Sequence, residues 1–182
     1  NHELRRNNNL VRARFRLYQV LHKLPKEESK EVLRGLKTES TSTISKSTLK
    51  SLTDHWLLDL NGKKISKATQ NKILNLLNSL HTKKQTQKAL LAHLPAPATL
   101  SIPDDACHYH ESPSTQRTLS VREMSRIQSF PDWFEVRSKI TTGGKMRRFE
   151  VPQYTQIGNA VPPLLSISIG MVCKEILKAS RG

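Results

Sequence analysis

Three stretches of the sequence carry side chains whose types and spacing can do chemistry. In the first, Ser120 and Glu123 stand three apart. The hydroxyl can accept from the Glu123 amide while the carboxylate reaches back to the Ser120 amide, a reciprocal pair that opens a helix. Arg117, Arg122 and Arg126 surround it and can either bridge neighbouring segments or meet a phosphate. In the second, Gly158 permits a positive φ or a close backbone approach, and Asn159 offers a short amide that binds a ligand or caps a turn. In the third, Lys145, Arg147 and Arg148 follow Gly143-Gly144, a flexible basic loop read either as phosphate-contacting or as a solvated turn. Cys107, His108 and His110 fit no zinc-ligand spacing, so no metal is expected.

Elements must hold these groups. Leu10, Leu17, Leu21 and Leu24 share one helical face, while Arg5, Arg12, Arg16 and Lys23 line another. Of these, Arg12 and Arg16 are the candidates for DNA contact. Pro25 with Glu27 and Glu28 starts a second helix that ends near Gly35. The Ser/Thr-rich run 37–51 reads as a loop. Leu49, Leu52 and Trp56 recur at helical spacing before an Asn61-Gly62 turn. Ser66 can cap a helix burying Ile73, Leu76, Leu77 and Leu80, and Thr82 with Gln85 has capping-box spacing for another reaching Leu94. Ser120 opens a short helix with Met124 and Ile127 on its buried side. Pro131 stops it, and Phe130 and Trp133 are expected to anchor in a core. Pro162 and Pro163 start a final helix running to about Lys178. Its apolar residues, among them Leu164, Ile167, Ile169, Met171, Val172 and Ile176, cover most of its circumference, so its partner sheet is expected elsewhere.

The chain has 182 residues, 30 Lys and Arg against 15 Asp and Glu, and a net charge of +15. That excess points to a polyanion, most simply nucleic acid. Residues 1–97 hold a net +12 and residues 98–182 a net +3, whereas six of the nine prolines follow Pro97. A basic helical part therefore precedes a turn-rich part. With 36% apolar and 25% charged residues, collagen-like and coiled-coil arrays are excluded. Two cysteines make no disulfide framework, so a reducing, cytoplasmic setting is expected. The apolar stretch from Ala160 to Cys173 is shorter than the ~20 residues of a membrane span, and no membrane partner is expected. A chain starting at Asn1 suggests that something upstream is missing.

Two of these motifs carry a family resemblance. Arg117-Thr118-Leu119-Ser120-Val121-Arg122-Glu123, followed by Arg126, Gln128 and Phe130-Pro131-Asp132, resembles the ninth conserved motif of bacterial restriction-modification DNA (cytosine-5)-methyltransferases. Gln156-Ile157-Gly158-Asn159-Ala160-Val161-Pro162 resembles the tenth. The opening NHELRR is similar to the start of the family's variable region.

The resemblance implies a predominantly helical α+β chain. Residues 1–112 would be the target-recognition region. Residues 113–182 would hold both motifs and end in the helix that completes a Rossmann-like, S-adenosylmethionine-dependent domain. It also implies a cysteine thiolate adding to an extruded cytosine, with methyl transfer to carbon 5. The family's Pro-Cys turn, Glu-Asn-Val segment and glycine-rich cofactor loop are absent, so no catalytic residue is assigned to this chain. Asn159, Ala160 and Val161 are the implied cofactor contacts, and Thr99-Leu100 resembles a pair used near the flipped base. Arg117, Ser120, Arg122, Glu123, Gln128, Pro131 and Gly158 are the implied structural positions. Expected partners are double-stranded DNA and a catalytic half, in cis or in trans, without which the chain is inactive. The alternative is a stand-alone DNA-binding module.

Overall fold

The computed structural model describes residues 2–84, 87–91, 93–96, 116–141, 146 and 149–181. Two compact units emerge: Arg5–Ala96 with residues 116–118, and residues 2–4 with 119–181.

The basic unit is helical with one small hairpin. α1 (Asn9–Leu21) starts at Asn8, whose side chain accepts from the Val11 amide at 2.9 Å. Leu17 and Leu21 are buried as the leucine spacing predicts, together with Phe15, Tyr18 and Val20, whereas Leu10 is 37% exposed. α2 (Lys26–Thr38) begins after Pro25, as read, but continues past Gly35 to a left-handed Glu39. The run 37–51 is not simply a loop. Ser45 caps α3 (Lys46–Thr53), and Thr48, Leu49 and Leu52 are buried. A Ser/Thr-rich composition hid a cap and an apolar face at helical spacing. β1 (Leu57–Leu58) and β2 (Lys64–Ile65) pair antiparallel through the Asn61-Gly62 turn, with Gly62 at φ 78°. α4 (Gln70–Ser79) is capped by Thr69 rather than Ser66, three residues further along, and buries Ile73, Leu76 and Leu77. No helix forms among the described residues of 82–94. There the Thr82 hydroxyl accepts from the Lys84 amide in a local turn instead.

One apolar core joins α1 to α4 and the hairpin, centred on Phe15, Val20, Val32, Leu36, Leu52, Leu57, Ile73, Leu77 and Leu80. Arg14 is buried within it, its guanidinium donating to the Leu80 and His81 carbonyls at 3.1 and 2.9 Å. A cation at a helix C-terminus satisfies carbonyls that α4 leaves unpaired.

The second unit contains α5 (Val121–Ile127), α6 (Gln153–Asn159) and α7 (Pro163–Ala179), with α5 packed on α6. Met124 is fully buried, but Ile127 is 41% and Trp133 79% exposed, so neither is the core anchor its type predicts. α5 is only two turns long, and its buried side is used up by Val121, Met124 and Ser125. α7 buries none of its residues. The run Gln153–Ala179 is long and apolar enough for a membrane span by composition. It is nevertheless broken by extended Ala160 and by Pro162. α7 alone, with 17 residues, spans ~25 Å, less than the ~30 Å hydrocarbon core. Among the described residues the sheet is the two-stranded hairpin alone.

Candidate functional site

The chemistry-bearing motifs of the second unit fold onto one another. Ser120 and Glu123 form the expected reciprocal cap. The Ser120 Oγ accepts from the Glu123 amide at 3.2 Å, and the Glu123 Oε2 accepts from the Ser120 amide at 2.7 Å. His2 Nδ1 lies 2.9 Å from the same Ser120 Oγ, so the opening residues return to this cap. α5 ends through a left-handed turn at Ser129 (φ 60°) before Pro131 is reached. There the Ser129 amide donates to the Arg126 carbonyl at 3.0 Å and the Phe130 amide to the Ser125 carbonyl at 2.9 Å, the hydrogen-bond pair of a Schellman motif.

Four bonds tie the stretch from Leu119 to Arg137, which holds α5 and this turn, to the α6–α7 segment. Gln128 Nε2 donates to the Ile157 carbonyl at 3.1 Å, from a side chain that is 8% exposed. The Tyr154 hydroxyl donates to the Leu119 carbonyl at 2.5 Å. Gln156 donates to the Arg137 carbonyl at 2.8 Å. Ser129 Oγ accepts from the Leu164 amide at 3.1 Å, satisfying a free N–H in the first turn of α7, which Pro162 cannot cap. Tyr154 and Ser129 were not singled out from sequence. The available signal was a polar-tipped aromatic beside an apolar helix face, and a serine where a helix stop needs a left-handed residue.

The three arginines of this stretch find protein partners. Arg126 grips Asp132 through two bonds at 2.7 and 2.9 Å, Arg122 reaches the Pro131 carbonyl at 3.4 Å, and Arg117 reaches the Thr118 carbonyl at 3.0 Å. The Asp132 carboxyl is held below its ordinary range, chiefly by the Arg126 hydrogen bond. Gly158 sits inside α6 with helical backbone, so of the two uses open to it the positive φ is not taken. Asn159 closes α6, its side chain is exposed, and no hydrogen bond to it is found among the described residues. Ala160 is extended and Val161 is 60% exposed. The braced turn thus presents the exposed Asn159 side chain, while the Ala160 amide is taken up by the Ile157 carbonyl at 3.2 Å.

Of the DNA-contact candidates in the basic unit, Arg16 requires correction. It is 2% exposed, its guanidinium lies 3.7 Å from the Trp56 ring centroid, and it donates to the Trp56 carbonyl at 3.1 Å and to Gln19 at 3.3 Å. The arginine stem is apolar enough to pack inward, and the aromatic face compensates the charge. Arg12 stays partly exposed beside Asn9. Thr99, Leu100, Cys107, His108, His110, Lys145, Arg147 and Arg148 lie outside the described residues. Cys173 is exposed on α7.

The family model for the C-5 cytosine-specific DNA methylase matches residues 5–175 of this sequence. The chain belongs to that family. Among curated relatives, Type II methyltransferase M.AplI of Arthrospira platensis is 46% identical over 63 residues, which are 35% of this chain and 15% of that protein. M.Bpa9945I of Bacillus paralicheniformis is 40% identical over 72 residues, 38% of this chain and 14% of that protein. M.AquIB of Picosynechococcus is 36% identical over 66 residues, 36% of this chain and 48% of that protein. The matched stretches therefore span less than half of each of these relatives. No solved structure matches the chain.

Proposed function

We propose that this chain supplies the DNA-recognition region and the C-terminal segment of a restriction-modification DNA (cytosine-5)-methyltransferase, and that it acts only with a catalytic half, in cis or in trans. Family membership supports the reaction class. The division of labour rests on one observation above all: α7 leaves Leu164, Leu165, Ile167, Ile169, Met171, Val172, Ile176 and Leu177 between 51% and 65% exposed. Covering eight such side chains contributes on the order of 10 kcal/mol, too much for an isolated surface helix to forgo. A cofactor-binding sheet of the Rossmann-like kind buries a helix of this type on one of its faces. M.AquIB is itself short, since 66 matched residues make up 48% of it.

On this reading the braced turn positions Asn159, Ala160 and Val161 at the edge of the cofactor pocket. The residues fit the role chemically. The exposed Asn159 carboxamide and the main-chain carbonyls beside it match the amino and carboxylate ends of S-adenosylmethionine, which supplies the methyl group when bound. Ser129 and Gln128 hold that edge still, and α7 anchors it to the sheet. The basic unit, together with Lys145, Arg147, Arg148 and the Thr99-Leu100 pair, meets the duplex.

Mixing this chain with a polypeptide carrying the family's catalytic cysteine half, then measuring methyl transfer to duplex DNA, tests the proposal. Transfer by the mixture and by neither component alone is expected. Duplex binding without any rescue of transfer would replace it with a stand-alone binding module.

A further inference from the structure

The basic unit gathers cations around one aromatic ring. Arg16 lies over Trp56 at 3.7 Å from the ring centroid, and Lys64 Nζ approaches the same ring at 5.2 Å. Lys23, just past the end of α1, and Lys64, on β2, are both exposed, and the ammonium group of neither has a hydrogen-bonding or ion-pair partner among the described residues. His55 is adjacent. Its imidazole is kept below its ordinary pKa first by burial, then by the charges of Lys23 and Arg16, with Asp54 acting more weakly in the opposite sense. Arg12 extends the cluster toward the hairpin turn, where its guanidinium meets Asn9. The nearby carboxylate of Asp59 is occupied by the amides of Asn61 and Lys63.

Like charges brought this close repel one another, and the ring quadrupole offsets only part of that cost. Three exposed lysines elsewhere are paired with a carboxylate, Lys30 with Glu27, Lys139 with Glu150 and Lys178 with Glu175; what sets this corner apart is that its cations gather at one aromatic ring. From Arg12 to Lys23 the cations extend over roughly 15 Å by helical rise, while a duplex presents one negative charge per ~1.7 Å of its axis. A polyanion with closely repeated charge removes the repulsion, and the stack of buried Arg16 on partly buried Trp56 forms the floor beneath it.

We propose that the corner between α1 and the β1–β2 hairpin is a seat for the phosphate backbone of duplex DNA, with Arg12, Lys23, His55 and Lys64 as donors and the Arg16–Trp56 stack as its platform. This seat rests on the chain's reading as a DNA-recognition part and adds residues to it. Contacts of this kind set register on the duplex and carry affinity, not sequence.

The test is the salt dependence of duplex binding by the full chain, comparing the double variant Lys23→Gln, Lys64→Gln with the charge-matched double variant Lys30→Gln, Lys178→Gln. All four positions are exposed, so both proteins are expected to fold. The first variant should bind more weakly and lower the slope of log affinity against log salt by about 1.8, the value for two lost phosphate contacts. The second should leave the slope unchanged. Equal slopes for the two variants would overturn the seat while leaving DNA recognition by the chain intact. Absence of duplex binding at low salt by the unmodified chain would overturn both.

Discussion

Ser129 shows how much a single residue carries. It adopts φ 60°, a region that costs a non-glycine residue of order 1 kcal/mol, and its hydroxyl supplies the bond that α7 lacks from Pro162. Ser129→Gly relieves the backbone but removes the hydroxyl, and Ser129→Ala removes the hydroxyl alone. The alanine variant should therefore be the less stable by about 0.5–1 kcal/mol in denaturant unfolding. The reverse order would mean that the backbone conformation is not what the serine tolerates. Gly62 is the opposite case, because its backbone conformation is one that side chains rarely adopt. Its φ is 78°, and a Cβ would stand 2.7 Å from Asn9 Oδ1. Gly62→Ala should lower stability by about 1–2 kcal/mol, read as a shifted denaturation midpoint, and an unchanged midpoint would contradict the hairpin geometry. The sequence disclosed Gly62 through the Asn-Gly pair, since only particular residues make that turn. It misplaced Arg16, because a stripe of cations at helical spacing looks alike whether one member faces solvent or stacks on a tryptophan forty residues away.

At the level of elements, α3 depends on a carboxylate from α2. Glu31 accepts from the Ser45 amide at 2.8 Å and from the Ser45 hydroxyl at 3.0 Å, and it also accepts from the Thr48 hydroxyl. The negative charge sits at the positive end of α3. The Thr48 bond, followed by those from Ser45, draws the Glu31 pKa below its ordinary value. The folded state therefore binds that proton less readily than the unfolded chain. Its stabilising contribution is complete above the ordinary glutamate range and fades as pH falls through the folded-state value. Glu31→Gln should flatten this acid-side decline in a thermal-melt series, and an identical decline in the variant would contradict the assignment. Ser45→Ala should cost about 1 kcal/mol through the lost cap. The capping box at Ser120 and Glu123 was legible because both partners lie within four residues. The Ser45 cap was not, since its second partner comes from another helix and its neighbours have the composition of a loop. The same limit moved the α4 cap from Ser66 to Thr69: both are acceptable caps, and the packing of Ile73 and Leu77 chose between them.

Across the whole molecule, the two conserved motifs and the greasy last helix were readable from sequence, and they carried the family assignment that the residue 5–175 match shows. What sequence could not disclose is that α5, the Ser129 turn and α6 form one braced block whose outgoing helix buries nothing. On the function proposed above, this helix is completed by a cofactor-bearing half of a methyltransferase. Cys173, exposed on α7, reports on it directly. The decisive measurement is the alkylation rate of Cys173, followed by peptide mass spectrometry, for the chain alone and for the chain mixed with the catalytic half. Rapid modification alone and at least tenfold protection in the mixture are expected. Slow modification of the isolated chain, or an equal rate with and without the catalytic half, would contradict that proposal.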